Sequence, residues 1–265
     1  MDKTSIIGIL LGVIAVGAGM FLKGVSPIAL VNPAALLIIF MGTVASVCIA
    51  FPFNTIKKVP SLFKILFKET DHLDIHELVN TFTNWATISR QEGILALESQ
   101  REKVTDPFLS SGLQFIVDGK SPDFIQDVML EKIHAMEERH RKGIAVFSQA
   151  GTYAPTLGVL GAVIGLIAAL SDLNDIEALG HAISAAFIAT LLGIFSGYVL
   201  WHPFANKLKE KSADEVNRKE IIIEGFLAIA NGESGQEIQD KLSSLSQGEW
   251  KNKDLEEANA AKETI

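Results

Sequence analysis

Few residues of this 265-residue chain are spaced for catalysis or metal binding. His72 and His76 stand four residues apart, which would place two metal ligands on one face of a helix. However, they flank the predicted helix cap Asp74, and no third ligand is near. The chain has no nucleotide-binding loop of the Gly-x-x-x-x-Gly-Lys-Ser/Thr type and no His-Glu-x-x-His zinc motif. The sequence therefore predicts a protein that is not an enzyme and that holds no metal and no cofactor.

The charged residues are distributed very unevenly along the chain. They make up 20% of it, below the roughly 25% of an average soluble protein, and the mean hydropathy is +0.30. A charge-free apolar run of about 20 residues is long enough to cross the hydrocarbon core of a bilayer as a helix. Four such runs and the lack of any strand pattern predict an all-α integral membrane protein. Its four transmembrane helices are expected at about 5–22, 33–52, 150–170 and 180–201.

Lysine and arginine predict how the spans are oriented. The segment between spans two and three carries basic residues next to both spans, and the tail after span four begins with Lys207, Lys209 and Lys211. The loop between spans three and four carries three acidic residues and no basic one. Because positively charged loops stay inside, both termini and the long middle segment are predicted to be cytoplasmic, in a multi-pass protein of the inner membrane.

The spans divide the chain into four predicted regions. These are transmembrane helices 1 and 2 (1–52), a cytoplasmic helical domain (53–148), transmembrane helices 3 and 4 (149–203), and a C-terminal helix with a tail expected to be mobile or only partly helical from about residue 231 (204–265). Lysines and bulky apolar residues alternate over 57–68, which predicts a short helix that either lies at the membrane surface, with lipid as its partner, or packs in a core. Asp106-Pro107 and Ser121-Pro122 are typical of helix starts.

The interiors of the four spans contain no Asp, Glu, Lys or Arg. Proteins that move ions usually keep such a group in the membrane despite its cost, so a partner would have to supply it here. Glycines four residues apart, at 8/12, 161/165 and 193/197, allow close helix contacts within the subunit or against a partner. Pro155 and Pro203 stand at the cytoplasmic ends of spans three and four, where a proline either frees a carbonyl and bends the helix or ends the span.

Three stretches of the sequence resemble one family, the MotA subunits of the flagellar stator. The run from Gln149 to Leu166, with the letters QAGTYAPTLGVLGAVIGL, resembles the third span of that family. Residues 189–193 (ATLLG) through Trp201-His202-Pro203 resemble its fourth span. Residues 89–98 (SRQEGILALE) resemble its cytoplasmic rotor-contact segment. The resemblance covers nearly the whole chain and weakens only after about residue 231.

The resemblance implies both a function and a set of partners. Members of the family form a homo-pentamer around a MotB-like single-span subunit, whose membrane aspartate carries the ion, and they turn ion flow into torque on a FliG-like rotor switch protein. By similarity, Arg90 and Glu98 are the charges that contact the rotor. The residues that match those lining or gating the channel are Pro155, Ala162, Ala189, Thr190 and Pro203.

Ala162 and Ala189 bear on the choice of ion. Sodium-driven members of the family carry hydroxyl groups at these two positions. Sodium needs several oxygen ligands, whereas a proton needs only an acceptor and a path of water. The alanines therefore favour a proton channel, with a sodium-driven stator as the alternative.

Two other classes of protein are compatible with parts of the sequence. A proton-channel subunit of the ExbB/TolQ type typically has three spans, with its long cytoplasmic segment between the first two, so the four-span layout argues against it. A membrane scaffold without ion flux would need only the glycine faces. The net charge of −8 argues against a nucleic-acid partner.

Overall fold

The computed structural model describes residues 3–68, 75–170 and 176–245, and every regular element in these ranges is a helix. The chain divides into two compact units. Residues 1–70 and 139–211 form one, called here the membrane unit, and residues 71–138 and 212–265 form the other, called the helical unit. The predicted all-α class is confirmed for the described residues.

Ten α-helical stretches follow one another along the described chain. They are α1 (Lys3–Leu22), α2 (Pro33–Ala50), α3 (Phe53–Ile56), α4 (Val59–Phe67), α5 (Ile75–Glu92), α6 (Glu98–Arg101), α7 (Pro107–Val117), α8 (Pro122–Leu170), α9 (Ile176–Ala230) and α10 (Gly235–Leu245). Short 3₁₀ turns lie at Pro27–Leu30 and Ile94–Leu97. Four of the helices, α1, α2, α8 and α9, are long and apolar enough to cross a membrane, which confirms the predicted number of spans.

The helix that contains the fourth predicted span does not end at Pro203. Helix α9 continues from Ile176 to Ala230, and a π-helical segment, Ser196–Trp201, precedes the proline. A proline ring conflicts with the carbonyl group four residues earlier, here that of Val199. Because a π-helical turn places an extra residue at that point, the helix passes the proline without ending.

The helical unit is held together by an aromatic core. The rings of Phe82 and Trp85 on α5 and of Phe226 on α9 lie 5.0–6.1 Å apart, and all three side chains are buried. Gly112 on α7 lets Phe226 approach, because a Cβ built on that glycine would lie 2.0 Å from the ring. Large rings in close contact with helix backbones give this unit a well-packed centre.

Side-chain caps fix the starts of α7 and α8 as the sequence predicts. The Asp106 carboxylate accepts hydrogen bonds from the backbone N–H groups of Phe108 and Leu109, both at 2.8 Å. The Ser121 hydroxyl accepts one from Phe124 at 3.3 Å. These bonds satisfy donors that the first turn of a helix leaves free. The predicted cap Asp74 and its neighbour His72 lie outside the described residues.

Candidate functional site

Helices α8 and α9 touch backbone to backbone in the membrane unit. A Cβ built on Gly158 of α8 would lie 2.8 Å from the carbonyl oxygen of Ala189 and 2.9 Å from Cα of Gly193. A Cβ built on Gly193 would meet Cα of Gly158 at 2.8 Å and the carbonyl oxygen of Ala154 at 2.9 Å. No side chain fits at either position, so these two glycines pack within the subunit.

Pro155 lies beside this contact, inside α8. Because proline has no N–H, the carbonyl of Gly151 loses its helical hydrogen bond from residue 155. That carbonyl faces Gly197 of α9, where a built Cβ would lie 2.8 Å from its oxygen and 2.7 Å from Cγ of Pro155. The proline therefore frees a carbonyl at the helix contact, and glycine is required opposite it. Pro155 itself is half-buried.

His202 belongs to the same contact, although no role follows for it from the sequence alone. A Cβ built on Gly151 would lie 2.8 Å from the imidazole ring, whose centroid is 5.3 Å from that of Tyr198. The position of His202 next to Gly151 depends on how α8 and α9 pair, and the periodicity of one sequence does not show that pairing.

Ala162 and Ala189 lie in a buried cluster between α2, α8 and α9. Ala189 is only 3% exposed and Ala162 is 8% exposed. Ala35 and Ile39 of α2 belong to the same cluster. Within this chain both methyl groups therefore fill helix contacts and do not lie on an open face.

Thr190 and Pro203 are more accessible than the two alanines. Thr190 is half-buried, and its hydroxyl donates a hydrogen bond to the carbonyl of Ala186 at 3.1 Å. Its oxygen still has acceptor capacity. Pro203 is exposed at the point where α9 resumes regular geometry after the π-helical segment. The structure thus brings Pro155, Ala162 and Ala189 to the α8–α9 contact and leaves Pro203 on the surface.

Arg90 and Glu98 lie in the helical unit, on either side of a sharp turn. Gly93, with φ of +89°, ends α5 after Glu92, because this backbone conformation is readily adopted only by glycine. The 3₁₀ turn Ile94–Leu97 follows and leads into α6, whose first residue is Glu98. Arg90 and Glu98 are both exposed.

The apolar residues of this turn point in different directions. Leu97 is fully buried in the core of the helical unit, whereas Leu95 is 72% exposed. Both leucines belong to one run of four apolar residues, 94–97, and the sequence of this run does not distinguish them. The structure therefore adds Leu95 to the exposed surface between Arg90 and Glu98.

Arg90 is held by a contact distant in sequence. Its Nε donates a hydrogen bond at 3.3 Å to the carbonyl of Gly232, in the turn between α9 and α10. The pKa of Glu237 on α10 is lowered, first because Ser234 donates hydrogen bonds to the carboxylate and further because Arg90 is nearby. The guanidinium therefore also fixes the turn that precedes α10, a role that the sequence pattern does not indicate.

Comparison with known proteins identifies the family. The sequence model of the MotA/TolQ/ExbB proton channel family matches residues 100–221. Motility protein A of Bacillus subtilis (strain 168) is 61% identical over 242 residues, which are 91% of this chain and 90% of that protein. The chain belongs to the MotA/TolQ/ExbB proton channel family. The resemblance to MotA found in the sequence is thereby confirmed.

Solved structures of MotA relatives match most of this chain. The flagellar MotAB stator complex from Bacillus subtilis matches with a TM-score of 0.87 and 60% identity, covering 91% of this chain and 94% of the matched chain. The MotAB structure of C. jejuni matches with a TM-score of 0.88 at 31% identity, covering 92% and 96%. The fold is thus that of a membrane channel subunit.

Proposed function

We propose that this chain is the flagellar stator subunit that forms a proton channel with a MotB-like single-span partner and converts ion flow into torque on the rotor switch ring. One observation carries the proposal. Four spans whose interiors carry no Asp, Glu, Lys or Arg occur in a chain that aligns over nine-tenths of its length with Motility protein A. Such a chain needs a partner that supplies the ion-carrying carboxylate, and its solved relatives are MotAB complexes.

The same subunit is proposed to assemble as a homo-pentamer around its partner in the inner membrane, with both termini in the cytoplasm. Support comes from helix faces that find no neighbour in the described part of the chain: apart from the nearby backbone of the same helix, no atom lies within 4 Å of a Cβ built on Gly8, Gly17 or Gly165. Large apolar side chains such as Ile49 and Phe187 are also exposed. Faces of this kind suit lipid or a neighbouring helix.

Pro155, Thr190 and Pro203 are proposed to line or gate the path of the ion. The support is the hydroxyl of Thr190, which keeps acceptor capacity, and the carbonyl of Gly151, which Pro155 frees at the α8–α9 contact. Ala162 and Ala189 are proposed to favour protons. Their buried methyl groups leave the α2–α8–α9 contact without the side-chain oxygens that sodium would need.

The exposed turn between Arg90 and Glu98 is proposed to contact the FliG-like rotor protein. It presents a positive charge, an apolar side chain at Leu95 and a negative charge within nine residues, on a turn anchored by buried Leu97. This arrangement suits a partner that carries the complementary charges.

Swimming speed in cells without their own stator tests the proposal. The chain is supplied with its cognate partner, with sodium present or removed and with or without a protonophore. Swimming that survives sodium removal but stops with the protonophore is expected. Swimming that requires sodium would keep the stator function and overturn the proton assignment. A chain that inserts and binds its partner but restores no swimming would favour an ExbB/TolQ-type role.

A further inference from the structure

A groove on the surface of α4 joins apolar walls to two lysines. It has a volume of about 550 Å³ and is lined by Pro60, Phe63, Lys64, Phe67 and Lys68. It is a shallow depression, largely open to solvent, on one face of the helix. The lining residues form one stripe, because 60, 64 and 68 are each four residues apart, as are 63 and 67, and such residues stack on one face of a helix.

The apolar wall of the groove is held in place from behind. Phe63 makes edge contacts with Phe147 and Phe204, with ring centroids 5.1 and 6.1 Å apart, and Phe67 contacts Phe204 at 6.0 Å. The opposite face of α4 is packed, since Leu66 is fully buried. The aromatic wall is therefore in place before any ligand binds, so these two rings lose little side-chain freedom on binding.

Positive charge is concentrated around the groove. After Asp2, the next acidic residue is Glu69, so the chain from 3 to 68 carries lysines and no carboxylate side chain. The ammonium group of Lys211 lies at the C-terminal end of α4, where it donates hydrogen bonds to the carbonyls of Ile65 and Lys68, each at 2.7 Å. It adds a further cation at the end of the stripe.

We infer that this groove binds an anionic phospholipid of the leaflet that borders α4. Helix α2 is a predicted span that ends at Ala50, and α4 begins nine residues later. The exposed face of α4 therefore lies close to the membrane surface. The aromatic and proline walls would contact acyl carbons, and Lys64 and Lys68 would contact the phosphate. This inference concerns a binding site outside the ion path and does not rest on the rotor function.

Native mass spectrometry of the purified stator complex tests the inference. The complex is titrated with phosphatidylglycerol, with phosphatidylcholine and with soluble glycerol 3-phosphate. Because each lysine near an anionic surface contributes about a fivefold gain in affinity, the Lys64→Gln/Lys68→Gln variant is expected to bind phosphatidylglycerol about 30-fold more weakly. The Lys57→Gln/Lys58→Gln variant is a matched control, because it removes the same charge from the same segment outside the groove.

Each outcome of this experiment decides the inference. A loss confined to the Lys64/Lys68 variant, with weak binding of phosphatidylcholine, supports it. Equal losses in both variants would reduce the effect to general attraction between lysines and lipid and would overturn it. Equal binding of the two lipids would also overturn it, as would full competition by glycerol 3-phosphate at lipid-like concentrations. Protection of Lys64 from amine-reactive reagents by a neighbouring subunit in lipid-free complex would show that a second copy of the chain occupies the groove.

Discussion

Gly193 determines how closely α8 and α9 approach each other. The atoms that a Cβ would meet there are backbone atoms of Gly158 and Ala154, which cannot move away as a flexible side chain can. Gly165 differs from Gly193. Apart from the nearby backbone of its own helix, no atom of the described chain lies within 4 Å of a Cβ built on Gly165. The two positions therefore form a matched pair.

Gly193→Ala is expected to destabilise the membrane unit by about 1–3 kcal/mol, because the added methyl group overpacks a backbone contact. Gly165→Ala is expected to be neutral or slightly stabilising for the subunit, since alanine is the better helix former. The amount of protein in the membrane and the thermal midpoint of the chain purified as a monomer measure both effects. Equal midpoints for the two variants would show that the helices shift apart freely.

Glu237 links a carboxylate to the start of α10. Its side chain accepts a hydrogen bond from the Ser234 N–H at 2.6 Å, and the Ser234 hydroxyl accepts one from the Glu237 N–H at 3.3 Å, which is a capping box. Because its pKa is lowered in the folded chain, its contribution is fully present above the unfolded pKa and is lost as the pH falls through the folded pKa.

Glu237→Gln is therefore expected to weaken the protection of the α10 amides from hydrogen exchange at pH 7. The difference from the wild type should shrink below about pH 4, the ordinary range of a glutamate. Protection factors corrected for intrinsic exchange rates measure it, with the exposed Glu220→Gln on α9 as a control. A difference that stays constant down to pH 3 would contradict a role for the ionised carboxylate.

Helix α10 occupies part of the C-terminal segment expected to be mobile or only partly helical. Ile238 and Leu242 are fully buried against the core of the helical unit, whereas Leu245 is half-exposed at the end of the helix. The segment is charged and rich in glutamine, and only two buried apolar residues, four apart, indicate a helix that packs against a core. The composition of the segment therefore does not predict this helix. Residues 246–265 lie outside the described part of the chain.

Leu242→Ala is expected to cost about 2–5 kcal/mol, because it removes a fully buried side chain and leaves a cavity. Leu245→Ala, the same change at an exposed position of the same helix, is expected to stay within about 0.5 kcal/mol. Thermal unfolding of the purified full-length chain compares the two. Similar losses in both variants would mean that α10 is not docked through Leu242.

At the scale of elements, periodicity and caps predict much of the fold. The four spans, the starts at Pro107 and Pro122 and the break at Gly93 follow from local sequence, because apolar runs and caps act within a few residues. The two π-helical segments, Leu37–Met41 and Ser196–Trp201, do not, since they depend on how neighbouring helices pack.

The candidate site was predictable to a smaller extent. Pro155 is visible from the sequence because proline in an apolar run is unusual, and the structure places it at a helix contact. The burial of Ala189 and the bond from Arg90 to Gly232 are not visible, because each joins residues far apart in the chain. Contacts between residues far apart in the chain cannot be predicted from the local pattern of a single sequence.

At the scale of the whole molecule, the proposed rotor contact lies on the surface, so its effect on torque can be measured separately from its effect on assembly. Glu98 is exposed in the helical unit, so reversing its charge leaves the buried core intact. Glu98→Lys is expected to lower swimming speed severalfold while the amount of stator in the membrane stays unchanged. Glu131→Lys, an equal charge reversal at an exposed position of α8, is expected to change speed little. A similar loss in both variants would point to net charge and not to a rotor contact.

The absence of charge from the spans also determines how this protein can be made. A translocon that threads these helices into the bilayer gains roughly 0.3–0.6 kcal/mol for each Leu, Ile, Phe or Val at the helix centre, and it meets no ionised side chain that costs about 2.5–3.5 kcal/mol. The composition of the spans thus favours insertion of the subunit without its partner. Newly made subunits that wait in the membrane for their partner have no carboxylate in their spans that could carry protons. They can therefore accumulate before assembly without dissipating the proton gradient.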